Sequence, residues 1–412
     1  MPNTDTEVVI VGGGAAGIAA ARRLREAAIE CLVIEARPRL GGRAWTVTDP
    51  AGAALDLGCG WLHSADRNPW HKIAVEQGRS IDKTPPPWTR PSLPIGFSLS
   101  EQYEYFGAAD EFHRRVSAAA KNGPDVPAAA LLKPGCRWNG LIAAVNTYVS
   151  GAELDRISVR DMENYEDTDV NWRVVEGLGS TIAAHGADLA AVLDCPVRRI
   201  DHTGLRLRVE TAKGVISASQ AIITLPSALL AENEKFFAPA LPAKMEAALG
   251  LPLGLADKLF LSLDGAEEFA KDSRLFGRTD TKATATYHLR PFGRPLIEVY
   301  FGGNLASELE NNGASAFFDF AVAELVGLFG TAFARRLKPI HLHGWGLDPF
   351  SRGSYSYALP GKAHCREALA SPVDGRLFFA GEACSRSDFS TAHGGFLSGL
   401  AAADQVIAAR RI

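Results

Sequence analysis

Apolar residues open this chain in short unbroken runs rather than in alternation. Val8-Val9-Ile10-Val11 is β-branched and continuous, which predicts a strand buried on both faces. Cys31-Leu32-Val33-Ile34-Glu35 repeats the pattern, and 19–28 between them is alanine-rich, with Leu24, and reads as a helix. Asn68-Pro69-Trp70 starts a second helix through Gln77, stopped by Gly78. Five prolines across 84–94, around Trp88 and Arg90, predict a loop and a boundary. A helix is expected over 99–121, with Tyr103, Phe106, Phe112 and Val116 on repeating turns, and 124–134 breaks it. Shorter helices are expected over 141–149, 153–157 and 181–189. Period-two alternation at 192–200, 205–210 and 214–216 predicts a hairpin, and 221–226 a separate buried strand closed by Pro226. Further on, 254–263 is a strand carrying one lysine, Lys258, and Tyr287 and 297–301 continue its sheet. An apolar-faced helix over 317–329 and a strand over 377–382, ending in Gly381-Glu382, follow.

Between the first strand and helix stand Gly12, Gly14 and Gly17. This is the spacing of a dinucleotide site. Gly12 permits the turn, Gly14 lets backbone approach a pyrophosphate, and Gly17 lets helix and strand pack closely. Free N–H groups of the helix start, at Ala15 and Ala16, face the phosphates. Glu35 ends the second strand, where a carboxylate accepts ribose hydroxyls. An acid there suits an unphosphorylated ribose, so FAD or NAD rather than NADP.

At 412 residues the chain can hold two or three domain-sized units. A net charge of −4 without a Lys/Arg block argues against nucleic acid as partner. Six scattered cysteines without CxxC spacing argue against a disulfide framework or a metal site and fit the cytoplasm. No stretch reads as a signal peptide or membrane span, and no anchor is expected at Arg410-Arg411-Ile412. The acidic run Glu163 to Asp169 reads as a solvated loop, or more sharply as a rim that steers a polycation.

Ala36-Arg37-Pro38-Arg39-Leu40-Gly41-Gly42-Arg43 continues directly from Glu35. Together with the glycine loop, this extension resembles the signature of the flavin amine oxidase superfamily. Asp56-Leu57-Gly58-Cys59-Gly60-Trp61-Leu62-His63, followed by Asn68-Pro69, looks most like its polyamine oxidase branch. The segments from Val174 to Ser180, Trp345 to Tyr355, Gly381-Glu382, and Thr391-Ala392 resemble further family motifs, so the likeness spans nearly the whole chain.

The resemblance implies an α/β architecture. A Rossmann-like FAD-binding domain is expected from 1–75, 175–238 and 345–412. An inserted α+β substrate-binding domain is expected from 76–174 and 239–344, as in p-hydroxybenzoate hydroxylase-like folds. It implies FAD contacts at Gly12, Gly14, Ala15, Ala16, Gly17, Glu35, Ala36, Arg37, Gly41, Gly42, Arg43, Gly58, Cys59, Gly60, Trp61, Val197 (through backbone), Trp345, Tyr355, Gly381, Glu382, Thr391 and Ala392. Lys258 matches the lysine that holds a water against the flavin, and His63 and Trp61 match substrate-facing positions. Tyr355 matches one wall of an aromatic pair, and Thr391 falls where many relatives place the other, so the pair is incomplete, with Phe389 and Trp61 as candidates for the missing face. Ser354 stands where monoamine oxidases carry a flavin-linking cysteine, so FAD is expected to be non-covalent.

The implied reaction takes hydride from an amine C–H to the flavin. The imine then hydrolyses, and reoxidation by molecular oxygen yields hydrogen peroxide. A polyamine or secondary amine is the expected substrate, and the resemblance allows a homodimer. An L-amino-acid oxidase would need an arginine for the carboxylate, with Arg90, Arg137 and Arg290 as candidates. A desaturase-type dehydrogenase or a non-catalytic flavin protein are the other readings.

Overall fold

The computed structural model describes residues 4–410; Arg411 and Ile412 of the C-terminal expectation lie outside them. Thr4–Val11, the helix Ala15–Glu26 and Cys31–Ile34 form the expected β-α-β start. Val9 and Val11 pack into one buried cluster and Val8 and Ile10 into another, so both faces of the first strand are covered. That is why its run is continuously apolar. The strand sits inside an eight-stranded sheet, paired in parallel with Cys31–Ile34 and with Gly214–Ile223. The helix begins at Ala15, ahead of the expected 19–28, so Gly17 lies within it. A Cβ on Gly17 would sit 1.9 Å from the Gly12 carbonyl oxygen, so only glycine permits the helix to lie that close to the turn.

The strands expected at 214–216 and 221–226 are one strand, Gly214–Ile223. Its first half pairs antiparallel with Leu207–Thr211 and its second half parallel with Leu377–Phe379. Ser217, Ser219 and Gln220 interrupt the apolar pattern where it passes from one partner to the other. The hairpin Val197–Asp201 with Leu207–Thr211 is present. Residues 191–192 are instead a separate strand beside Cys31–Ile34. Two further expectations are corrected. Residues 153–157 form turns rather than a helix, because the Ser158 side chain caps a helix that starts later, Val159–Asn164. In Leu99–Asn122, Tyr103 and Phe106 face outward and Gln102, Tyr105, Phe112 and Val116 face inward. Gln102 can be buried because its amide donates to the carbonyls of Ser92 and Phe97.

The second sheet is five-stranded and antiparallel, in the order Ser273–Phe276, Thr286–Leu289, Leu296–Gly302, Ala256–Leu263, Leu337–Leu342. Period two divides its faces. Leu259, Leu261, Leu275, Tyr287, Ile297, Val299 and Phe301 bury against Phe317, Ala321 and Leu325 of the helix Ala314–Phe329. Lys258, Glu298, Tyr300, Thr286, His288 and Arg274 are left on the other face. Lys258 is therefore on an interior strand, not an edge strand with access to solvent.

A buried ion pair ties distant chain segments together. Arg366 donates to both oxygens of Asp161 at 2.7 and 2.8 Å, and both side chains are almost fully buried. Removing one partner leaves the other charge uncompensated. Arg366→Met is expected to cost about 3–5 kcal/mol of stability, read as a lowered melting temperature, whereas Arg366→Met with Asp161→Leu should recover most of it.

Candidate active site

The two sheets enclose one cavity of about 1370 Å³. Every expected site residue except Gly17 lines it. At its nucleotide end, Gly12 has φ +109°, and its N–H extends the pairing of the first two strands by donating to the Ile34 carbonyl. Gly14 and Gly42 approach so closely that a Cβ on Gly42 would be 3.2 Å from the Gly14 Cα. This double-glycine cradle leaves bare backbone at the helix start, where a pyrophosphate fits. Glu35 is buried and accepts from the N–H groups of Gly13 and Arg37 at 2.7 and 2.8 Å. Ala36 continues the wall from it. Arg37 is pinned by Asp348 and Ser351, so its guanidinium stabilises the loop that follows Trp345.

Further along, Arg43 donates to the Ser354 carbonyl and to Glu382. Glu382 also accepts from Ser356 and from the Ser390 N–H. Burial works to raise the Glu382 carboxyl, but Arg43 and Ser356 outweigh it and hold it ionised. Gly58 is wedged against Arg43 and Trp345, whose indole donates to the Leu57 carbonyl. Cys59 and Gly60 continue this wall, and Val197, Gly381 and Ala392 line the cavity around it. Burial pushes the thiols of Cys59 and Cys384 up to about 12, so neither is a nucleophile at neutral pH. Ser354 exchanges hydrogen bonds with the backbone of Ala256.

Lys258 stands at the floor. Its Nζ donates to the Asp56 carbonyl at 3.0 Å and pairs with Glu298 at 3.1 Å, leaving its third N–H to the cavity. Asp56 does more than hold its own turn: its carboxylate accepts from Thr46 and from the N–H groups of Leu178 and Gly179, capping the helix Leu178–His185. Burial would raise Glu298, but Lys258 and His288 dominate and hold it well below the usual carboxylate range. A folded-state value below the unfolded one gives stability that is present above the unfolded value and lost as pH falls toward the folded one. Glu298→Gln is therefore expected to lower thermal stability at pH 7 and to flatten its decline on the acid side below about pH 4.5. It should also slow turnover, because Lys258 loses one of its two anchors; melting curves across pH and steady-state rates test both.

His63 packs near Trp88 and its Nδ1 meets the Asn171 side-chain oxygen at 2.7 Å. Burial draws His63 below the ordinary histidine range, against the pull of Asp167. A neutral imidazole donating from Nδ1 to Asn171 presents Nε2 as an acceptor. Trp61 meets Trp88 edge to face and carries the Arg173 guanidinium over its ring. Tyr355 donates its hydroxyl to the Tyr148 carbonyl at the end of the helix Asn139–Ser150. Burial raises Tyr355, so it is a neutral, pinned ring. Thr391 is a helix cap: it accepts from the Gly394 N–H and donates to the Asp388 carbonyl at the start of Ala392–Ala409. Opposite walls come from Phe389 and from Tyr165, which pack edge to face at 5.4 Å.

Sequence reasoning missed Tyr165, Glu298, Tyr300, His288 and Arg274. Alternation along 297–301 already put Glu298 and Tyr300 on the face of Lys258 and could have found them. Tyr165 sat inside the acidic run, whose members are largely paired here: Glu163 with Lys121, Glu166 with Arg67, and Asp167 beside His63. Arg90, Arg137 and Arg290 do not line the cavity; they bond to the Asp272 carbonyl, to Glu101, and to the Phe269 carbonyl.

Residues 137–407 match the family of flavin containing amine oxidoreductases, and 10–76 match an NAD(P)-binding Rossmann-like domain. The chain belongs to the flavin containing amine oxidoreductase family, and is an FAD-dependent amine oxidoreductase. It is similar to polyamine oxidase 2 of Arabidopsis thaliana, at 28% identity over 98% of this chain and 88% of that one. It is also similar to pseudooxynicotine dehydrogenase of a Pseudomonas species, at 26% identity over 96% and 84% of the two chains. Among solved structures, a putrescine oxidase double mutant superposes with a TM-score of 0.79 at 19% identity, covering 99% of this chain and all of that one, which shows the shared fold. No helix among the described residues is long and apolar enough to cross a membrane.

Proposed function

We propose that the protein oxidises a secondary amine or a polyamine, with oxygen as the electron acceptor. The observation that carries this is the cavity floor, where Lys258 is locked between Glu298 and the Asp56 carbonyl with one N–H to spare. Above it stand a neutral His63 and the aromatic walls Tyr355, Tyr165 and Phe389. When bound, FAD supplies a hydride acceptor for the C–H beside nitrogen and passes the two electrons to oxygen, giving hydrogen peroxide.

The chain's own residues prepare that step. Aromatic walls disfavour an ammonium ion relative to the free amine, the form able to lose hydride. His63 Nε2 accepts an amine N–H, and Trp61 closes the same side. Lys258 holds a water in place through its third N–H. The imine product takes up water and separates into an aldehyde and the shortened amine. Segments 1–75, 175–238 and 345–412 hold the cofactor in this reading, and 76–174 with 239–344 enclose the amine. Six free cysteines suit a reducing cytoplasm, and a homodimer agrees with the family reading.

An anaerobic absorbance titration of the holoenzyme tests the proposal, with spermidine, putrescine, a simple secondary amine and a set of L-amino acids. Bleaching by an amine and fast recovery in air is the expected result. Bleaching by amino acids alone would overturn the substrate class, and bleaching without recovery in air would overturn oxygen as acceptor.

A further inference from the structure

Four arginines line the cavity, and three of them have a carboxylate partner: Arg37 with Asp348, Arg43 with Glu382, and Arg352 with Glu232. The fourth, Arg274, has no ion pair among the described residues. Its side-chain contacts are a long hydrogen bond to the Thr286 hydroxyl, at 3.4 Å, and the face of Phe276, 4.2 Å from the ring centre. The ionisable groups that act on it are Tyr105 and Tyr148, and burial keeps both as neutral phenols. A guanidinium enclosed without a counter-charge is costly, and its terminal N–H groups are a ready anchor for an acceptor.

Register places that anchor relative to the reacting end. Lys258 lies opposite Tyr300, Tyr300 opposite Thr286, and Thr286 opposite Phe276, two residues along the strand from Arg274. Three strand spacings separate the lysine strand from the arginine strand, roughly 14 Å from backbone to backbone. An α-amino acid carries its carboxylate one bond from the reacting carbon, too close to reach both. A free polyamine would bring an ammonium group toward the unpaired guanidinium.

We propose that Arg274 binds the far end of the substrate, and that this end is a carboxylate or another strong hydrogen-bond acceptor. The substrate is then an amine, oxidised beside Lys258, joined by an extended chain to a distal acceptor. This rests on the amine oxidase reading of the same cavity and selects the secondary amine over the free polyamine.

The test uses holoenzyme and three matched series: N-methylamino carboxylic acids from butanoic to dodecanoic, their carboxamides, and N-methyl diamines of equal length. Anaerobic flavin bleaching reports oxidation, and calorimetry with plain alkanoic acids reports anion binding independently of turnover. Wild type is expected to favour longer acids over short acids and over diamines. Arg274→Gln should weaken the acids on the order of ten- to a hundredfold. It should also leave the amides little changed and improve the diamines, while Arg274→Lys retains part of the acid preference. The proposal is overturned if the three series shift in parallel in Arg274→Gln, or if wild type prefers diamines. Should no probe bleach the flavin while alkanoic acids still bind wild type more tightly than Arg274→Gln, the amine oxidase reading falls and the anion site stands. If Arg274→Gln fails to retain FAD, the order of acids and diamines in wild type and in Arg274→Lys decides.

Discussion

Lys258→Met is expected to slow reoxidation of the reduced flavin by air about a hundredfold or more, while FAD content stays that of wild type. Methionine keeps the length and removes the charge and all three donors. Lys258 spends two of those donors on Asp56 and Glu298, and the third is left to the cavity, where the proposed reaction brings substrate and oxygen to the flavin. A Cβ on Gly60 would lie 3.4 Å from Nζ, so the glycine keeps the approach to the ammonium group narrow but open. The substitution also strands Glu298, a buried carboxylate that depends on Lys258, and should cost about 3–5 kcal/mol. Lys258→Met with Glu298→Gln separates the two effects. Stability should return in the double variant and the reoxidation rate should not. Stopped-flow traces showing wild-type reduction and reoxidation in Lys258→Met would remove the catalytic role assigned to this lysine.

Gly58→Ala is expected to weaken FAD binding by about ten- to a hundredfold, or to yield colourless protein. A Cβ at that position would sit 1.7 Å from the Arg43 carbonyl oxygen and 3.3 Å from the Trp345 ring. Neither neighbour has room to give: Arg43 is fastened to Ser354 and Glu382, and Trp345 is buried with its N–H on Leu57. The backbone of 41–43 must then move, and it carries the second half of the glycine cradle. Flavin absorbance per protein after purification, and titration of apoprotein with FAD, read the effect. Gly327→Ala makes the comparison, because Gly327 lies in the helix Ala314–Phe329 without a positive φ and its Cβ would meet nothing within 4 Å.

Local pattern went furthest where one segment carries a whole device. The turn from Val11 into Ala15 needs only neighbouring residues, so strand, glycines, helix and Glu35 were all legible. The same holds for Thr391, whose cap on the final helix explains a residue that family likeness left as a gap in an aromatic pair. Lys258 was legible as the one lysine on a largely apolar strand. Of its partners, Glu298 shares its sheet face on the adjacent strand and was within reach of alternation, whereas Asp56 comes from a distant segment and meets it only in the tertiary structure.

Helix faces failed for a related reason. Tyr103 and Tyr105 are equally apolar, and which one turns inward depends on the neighbours that Phe97, Trp138 and Phe276 supply. The split of 214–223 into two expected strands failed because a strand can change partners halfway without changing its own backbone. Arg274 is the sharpest case. In sequence it is one of many arginines, and three candidates were preferred to it for a carboxylate. Only the pairing of every other cavity arginine with an acid, and its place three strands from Lys258, set it apart. By itself the sequence determined the β-α-β turn with its glycines, because that depends on spacing along a few turns of chain, while the flavin and the lysine came from family resemblance. Tertiary structure decided which charges are compensated, which rings face each other and where the far end of the cavity lies. Those are distances between segments that no local pattern encodes.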